Sequence, residues 1–245
     1  MSHPLVSRYI LLRKFISIYK GMGMSSTKTL PKLTASMMCA EYDCLSREVK
    51  ELEDAGIDSF HIDIMDGEFV DNFGMGYQDM KFITGATSKE VDVHLMVSKP
   101  HNYLGMLYEI GVDAVYIHPE SDSDPATTLE KIKNHGITTG IAINPGTSIP
   151  YVEELLNTAD RVLILGVNPG HAGRSYLDYV DGKIERLLEL KNKYNYEIWL
   201  DGAVTAERIR RWSRLGVVGF VLGTSCLFGK NKTYLECVKQ IKSIL

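Results

Sequence analysis

From Leu33 to the C-terminus, short apolar runs alternate with charged stretches of helical period. The runs are 33–38, 59–65, 91–97, 114–118, 138–143, 161–167, 197–201 and 219–223, eight in all. Between them lie segments such as "LSREVKELEDAG", "TTLEKIKNHG", "VDGKIERLLELKNKY" and "TAERIRRWSRLG". Their apolar residues recur every three or four positions, and several close on glycine, a common helix stop. Regular alternation of strand and helix predicts a parallel sheet with right-handed crossovers. Eight such units in 245 residues predict an α/β fold, a single (β/α)8 TIM barrel with eight parallel strands. An open doubly wound sheet fits less well, because no G-x-G-x-x-G loop follows the first run.

The first thirty residues break this rhythm. They contain no acid, and Arg8, Arg13, Lys14 and Lys20 interrupt their apolar residues. Those charges exclude a secretory h-region and a membrane span. An organelle presequence is one reading; an upstream extension, with Met22 or Met24 as the natural start, is preferred. The expected organisation is a basic, non-catalytic extension over 1–30 and a catalytic barrel over 31–245, with no linker between further domains.

Composition adds little. The apolar fraction of 44% fills a sizeable core. A formal charge of −4 gives no reason to expect a nucleic-acid or membrane partner. The cysteines Cys39, Cys44, Cys226 and Cys237 form no C-x-x-C pair and read as free thiols of a reducing, cytoplasmic compartment.

Chemistry enters through polar residues inside the oily strands. "FHIDIM" carries His61 and Asp63 two positions apart, hence on one face of a strand. "VDVHLMV" carries His94, "EIWLDG" ends on Asp201, and strand 1 offers Ser36. Burying an imidazole beside a carboxylate is costly unless a proton, a hydrogen-bond partner or a metal pairs with them. Barrel enzymes place their sites at the C-terminal strand ends. Two histidines and two carboxylates converging there suit zinc, manganese or ferrous iron better than calcium or magnesium. His118, His101 and His135 read as a strand end, a helix start and a helix stop, and Asp66-Gly67 as a turn. Glycine-bearing loops after strands 6, 7 and 8 offer Gly170, Gly173, Gly202, Ala203, Gly223 and Thr224 as a phosphate cradle.

The segments "HIDIMDGEFVDNFGMG", "DVHLMVSKP", "VNPGHAGRSY", "WLDGAV" and "VLGTS" resemble, in order and spacing, the motifs of ribulose-phosphate 3-epimerases. The resemblance runs from about Leu33 to the C-terminus. It implies a metal-dependent isomerase of carbohydrate metabolism, in the pentose phosphate pathway, that inverts C3 of D-ribulose 5-phosphate to give D-xylulose 5-phosphate. By resemblance His61, Asp63, His94 and Asp201 hold one divalent ion (Zn, Fe(II) or Mn), and Asp63 and Asp201 are the acid/base pair. Ser36, His94, Met65 and Met96 then meet the substrate, and barrels of this family commonly form homo-oligomers. Several positions depart from the common pattern: Glu68 stands for histidine, Asp71 for proline, Leu165 for methionine, His171 for phenylalanine, Arg174 for glutamine and Ala203 for glycine. "HIDIMDG", "DVHLMV" and "GTSCLF" resemble the D-allulose-6-phosphate 3-epimerase branch, which makes D-fructose 6-phosphate. A related lyase or decarboxylase would place a lysine between aspartates, and "HIDIMDG" has none. A non-catalytic phosphosugar-binding barrel would be expected to have lost a ligand, and all four are present.

Overall fold

Each of the eight apolar runs forms a strand, because a strand buried on both faces needs a near-continuous apolar sequence. The computed structural model describes residues 30–245. The residues before it, which carry nearly all of the expected extension, lie outside the described residues. The strands are β1 (Lys32–Ser36), β2 (Ser59–Met65), β3 (Glu90–Met96), β4 (Ala114–Ile117), β5 (Thr138–Ile143), β6 (Arg161–Leu165), β7 (Glu197–Asp201) and β8 (Gly219–Leu222). They pair in parallel, each with its sequence neighbour, and β8 returns to β1 to close the barrel.

Five strands end earlier than the apolar pattern predicts, β3, β4 and β8 by one residue and β1 and β6 by two. β1 stops at Ser36 because Met37–Cys39 curls into a 3-10 turn. β6 stops at Leu165: the Gly166 N–H makes the last bond to β7, to the Asp201 carbonyl at 2.6 Å, and the Gly166 carbonyl accepts instead from the Leu177 N–H at 2.9 Å. The ends of β1 and β6 therefore bend at the barrel mouth.

The helices are α1 (Leu45–Ala55), α2 (Tyr77–Ala86), α3 (Leu104–Ile110), α4 (Pro125–Asn134), α5 (Ile149–Val152), α6 (Val180–Leu190), α7 (Ala206–Leu215) and α8 (Tyr234–Lys242). Local chemistry sets their ends. Asp124 accepts from the Thr127 N–H at the start of α4, with Pro125 in the first turn. Thr233 and Glu236 form a capping box at α8. Gly56 and Gly216 end α1 and α7 in the left-handed conformation, as the glycine stops predict.

Alternation along the strands divides the core. Phe60, Ile62 and Ile64 of β2 belong to the layer between strands and helices. Inside the barrel, Tyr116, Ala142, Leu163, Leu165, Trp199 and Val221 form a separate packed cluster. Gly140 and Gly219 make that interior possible, since a Cβ at either would collide with the ring of Tyr116 or Trp199. The lower end is closed by Arg161, which pairs with Glu90, lies 3.4 Å from Glu197 and stacks 4.6 Å over the Trp199 ring. With the axis plugged below, the open end lies at the C-terminal strand ends.

Candidate metal and substrate site

The register of the barrel assembles the polar residues. Asp63 of β2 stands beside His94 of β3, and His61 beside Asp92. Ser36 pairs with His61 across β1 and β2, and Leu165 with Asp201 across β6 and β7. All point into the barrel by the two-residue period that places His61, Asp63 and Met65 on one face. One ligand atom from each of His61, Asp63, His94 and Asp201 lies within 4.8 Å of the others, so these four can hold a metal ion.

The donor set fits a divalent cation. His61 Nδ1 is committed to Asp92 Oδ1 by a short hydrogen bond. His61 Nε2 is buried, lies 3.3 Å from Asp63 Oδ1 and has no hydrogen-bond partner. A buried nitrogen left unpaired costs about 1–3 kcal/mol, and a cation at the centre of the cluster would relieve that cost. A carboxylate that accepts from the far nitrogen of a ligating imidazole, as Asp92 does from His61, fixes the orientation of the ring. His94 Nδ1 lies 3.0 Å from Asp63 Oδ1, and the Ser36 hydroxyl donates to Asp63 Oδ2 at 3.2 Å.

The electrostatics separate the two carboxyls. Burial alone would raise Asp63, but the charge and hydrogen bonds of His61 and His94 outweigh it and hold its pKa well below the usual carboxylate range. Asp201 is raised, first by burial and then by the negative charge of Asp63. Burial opposes charge on His61, yet Asp92 and Asp63 push its pKa well above the usual imidazole range. The cluster is thus a place that attracts positive charge.

Two groups were not anticipated from the sequence. Asp92 has no assigned role in the sequence analysis, although "VDVH" repeats in β3 the i, i+2 alternation of "HID" in β2. His118 follows directly on β4, which ends one residue before the expected position, at Ile117; it is fully buried and its Nε2 lies 2.8 Å from His94 Nε2. No local signal marked it, because its burial exists only once the barrel closes. His101 and His135 keep their expected places, His101 in the 3-10 turn before α3 and His135 at the end of α4. The Asp66 carboxylate accepts from the N–H groups of Glu68 and Phe69, which is the expected turn.

Above the cluster lies a cavity open to solvent, about 70 Å³ by the volume open to a water-sized sphere's centre. Ser36, Asp63, His94 and Asp201 form its floor, Met65, Met96 and Leu165 its apolar walls. Gly170, Gly173, Gly202, Ala203, Gly223 and Thr224 surround one side, so the three glycine loops meet at one opening. His61 lies beneath, outside the lining. The Asn72 side chain donates to the Gly170 carbonyl at 2.6 Å and ties the β2 loop to the β6 loop across the mouth.

The β7 loop is conformationally demanding. Gly202 has φ 88°, and a Cβ there would approach Val167 Cγ2 to 2.7 Å. Ala203 follows at φ 50°, also left-handed. Gly202→Ala is therefore expected to destabilise the protein by about 2 kcal/mol. For a chain of this size that lowers the melting temperature by roughly 4–8 °C, measured by calorimetry.

Comparison with known proteins agrees with this geometry. The profile of the Ribulose-phosphate 3 epimerase family matches residues 32–228. The chain is 30% identical over 215 residues to the ribulose-phosphate 3-epimerase of Aquifex aeolicus, covering 87% of this chain and 96% of that one. It is 32% identical over 217 residues to the Helicobacter pylori enzyme of the same name, covering 87% and 99%. Among solved structures, phosphoribosyl anthranilate isomerase from Thermus thermophilus superposes with a TM-score of 0.65 at 13% identity, covering 87% of this chain and 100% of that one. At that identity the likeness speaks to the fold alone.

Proposed function

The chain belongs to the ribulose-phosphate 3-epimerase family, and from that premise we propose that it is a metal-dependent epimerase interconverting D-ribulose 5-phosphate and D-xylulose 5-phosphate. The observation that carries this reading is the convergence of Asp63 and Asp201, from strands on different sides of the barrel, on one point with two buried imidazoles. The catalytic domain is then residues 31–245.

The hydrogen on C3 is made weakly acidic by the C2 ketone. Inverting that carbon requires a base on one face and an acid on the other, because a single group tends to return the proton to the side it came from. Asp63 is held down in pKa by His61 and His94, and Asp201 is raised by burial and the Asp63 charge, so the two carboxyls are pushed apart. Environments that push two carboxyls apart in this way mark an acid/base pair. After one turnover the roles are exchanged, which is what reversible interconversion needs. The Ser36 hydroxyl orients the Asp63 carboxylate. His61, Asp63, His94 and Asp201 would hold one divalent ion, zinc, ferrous iron or manganese, which supplies Lewis-acid stabilisation of the enediolate charge.

Met65 and Met96 line the cavity with thioether walls that exclude water and donate no proton to the flat intermediate. The glycine loops grip the phosphate and anchor C3 over the carboxylates. Arg174 lines the same cavity, and among the described residues it is the only lysine or arginine that does so. D-Allulose 6-phosphate, one carbon longer, is the second candidate substrate, favoured by the strand motifs that resemble that branch.

The test supplies purified protein with D-ribulose 5-phosphate and D-allulose 6-phosphate separately, after loading with each divalent ion. Turnover of the pentulose phosphate is expected. Turnover of the hexulose phosphate alone would reassign the substrate, and turnover of neither would end the epimerase reading.

A further inference from the structure

We propose that His118, biased by Glu120, is a positioning residue that fixes the tautomer and orientation of His94 as a metal ligand; this rests on the metal-dependent reading above. The argument begins with hydrogen counting. His94 Nε2 and His118 Nε2 lie 2.8 Å apart, a hydrogen-bonding distance between two ring nitrogens. Only one of them can carry the shared hydrogen, and the other must present its lone pair. His94 Nδ1, on the other side of the ring, faces the cluster, 3.0 Å from Asp63 Oδ1. An imidazole that binds a cation through Nδ1 must keep its hydrogen on Nε2. His94 is then the donor and His118 Nε2 the acceptor.

The surroundings of His118 enforce that assignment. If its Nε2 accepts, its hydrogen resides on Nδ1. That nitrogen is buried, has no hydrogen-bond partner and lies 3.9 Å from Glu120 Oε1, an electrostatic rather than a hydrogen-bonding distance. A carboxylate on that side favours the Nδ1–H tautomer over the alternative. Glu120 is itself held in place, since Oε1 accepts from Asn144 Nδ2 at 2.7 Å and from Thr147 Oγ1 at 2.6 Å. Its Oε2 is buried without a partner and remains available to His118. The ring of Phe69 lies 4.8 Å from the ring of His118, which is fully buried, so water does not compete as the acceptor for His94. His94 thus has one sheltered acceptor, reached from β4, just as His61 has Asp92, reached from β3. The two ligating imidazoles are oriented by different chemistry, a carboxylate for one and a neutral ring for the other.

Removing the acceptor leaves the His94 N–H buried and unpaired. Loss of such an outer partner typically weakens metal binding by 10–100-fold. The experiment measures the zinc dissociation constant of the wild-type protein, His118→Leu and His118→Gln by chelator competition, alongside nitrogen-15 NMR of the histidine rings in the zinc-loaded wild type. Glutamine places a carbonyl oxygen near the position of the imidazole Nε2. His118→Leu is expected to bind zinc about 10–100-fold more weakly, His118→Gln within about threefold of wild type, and His94 to carry its hydrogen on Nε2. Equal affinity in His118→Leu, or a His94 hydrogen on Nδ1 in a protein that binds one zinc, overturns the proposal. If His118→Leu fails to fold, the wild-type NMR signal and the glutamine variant still decide it. A wild-type protein that binds no zinc, ferrous iron or manganese at all removes the metal reading first, and the proposal with it.

Discussion

Asp201→Asn is expected to lower kcat for D-ribulose 5-phosphate by about 10³-fold, within the range for loss of a general acid or base. The fold should survive. Asparagine keeps a side-chain oxygen able to accept from the Gly202 N–H, the 2.7 Å bond that Asp201 Oδ1 makes. What it loses is the capacity to carry a proton between solvent and C3. A two-carboxylate mechanism makes a second, sharper expectation for the same variant. Asp63 still removes and returns a proton on its own face. In D2O the variant should therefore exchange the C3 hydrogen of one epimer for deuterium without inverting it. Near-normal epimerisation by Asp201→Asn would rule out its role in proton transfer. Metal content measured on the same sample separates loss of the acid from loss of a ligand.

Chelation is expected to be as costly. Several kcal/mol of charge stabilisation at O2 corresponds to a fall in kcat/KM of about 10³-fold or more, restored by adding back the ion. Stability should change with it. The unliganded cluster confines Asp201 with the negative Asp63 and leaves His61 Nε2 buried and unpaired. Ion binding relieves both. At about 100-fold excess over the dissociation constant, ligation adds about 2.7 kcal/mol, or roughly 5–10 °C in melting temperature for a chain of this size. Thermal scans with and without chelator read this independently of turnover. An activity and a melting temperature both indifferent to chelation would remove the cation from the account.

The barrel was legible because its strands are buried on both faces, which writes each as an apolar run. The same property exposed the site. His61, Asp63, His94 and Asp201 stand out where a valine or leucine would be expected, and the closed barrel brings all four together. Asp92 carried the same mark but was masked by the more familiar pairing of Asp63 with His94. Its role appears only in the register, where it lies beside His61. His118 could not be found from spacing at all. It sits at a strand end before Pro119, and its partner His94 is 24 residues away, joined by the closing of β3 on β4. The early ends of β1 and β6 were likewise invisible, since Met37, Met38 and Val167 are as apolar as the strand residues before them. The glycine loops after β6, β7 and β8 converge because consecutive parallel strands present all their C-terminal ends on one side.

The central claim is that two carboxylates act on opposite faces of one carbon. A single-turnover reaction of the ion-loaded wild-type protein with D-ribulose 5-phosphate in D2O tests it most directly. D-Xylulose 5-phosphate formed in the first turnover should carry deuterium at C3, because the returning group drew its proton from solvent. Product that retains the substrate's own C3 hydrogen would mean that one group removes and returns it, contradicting the account.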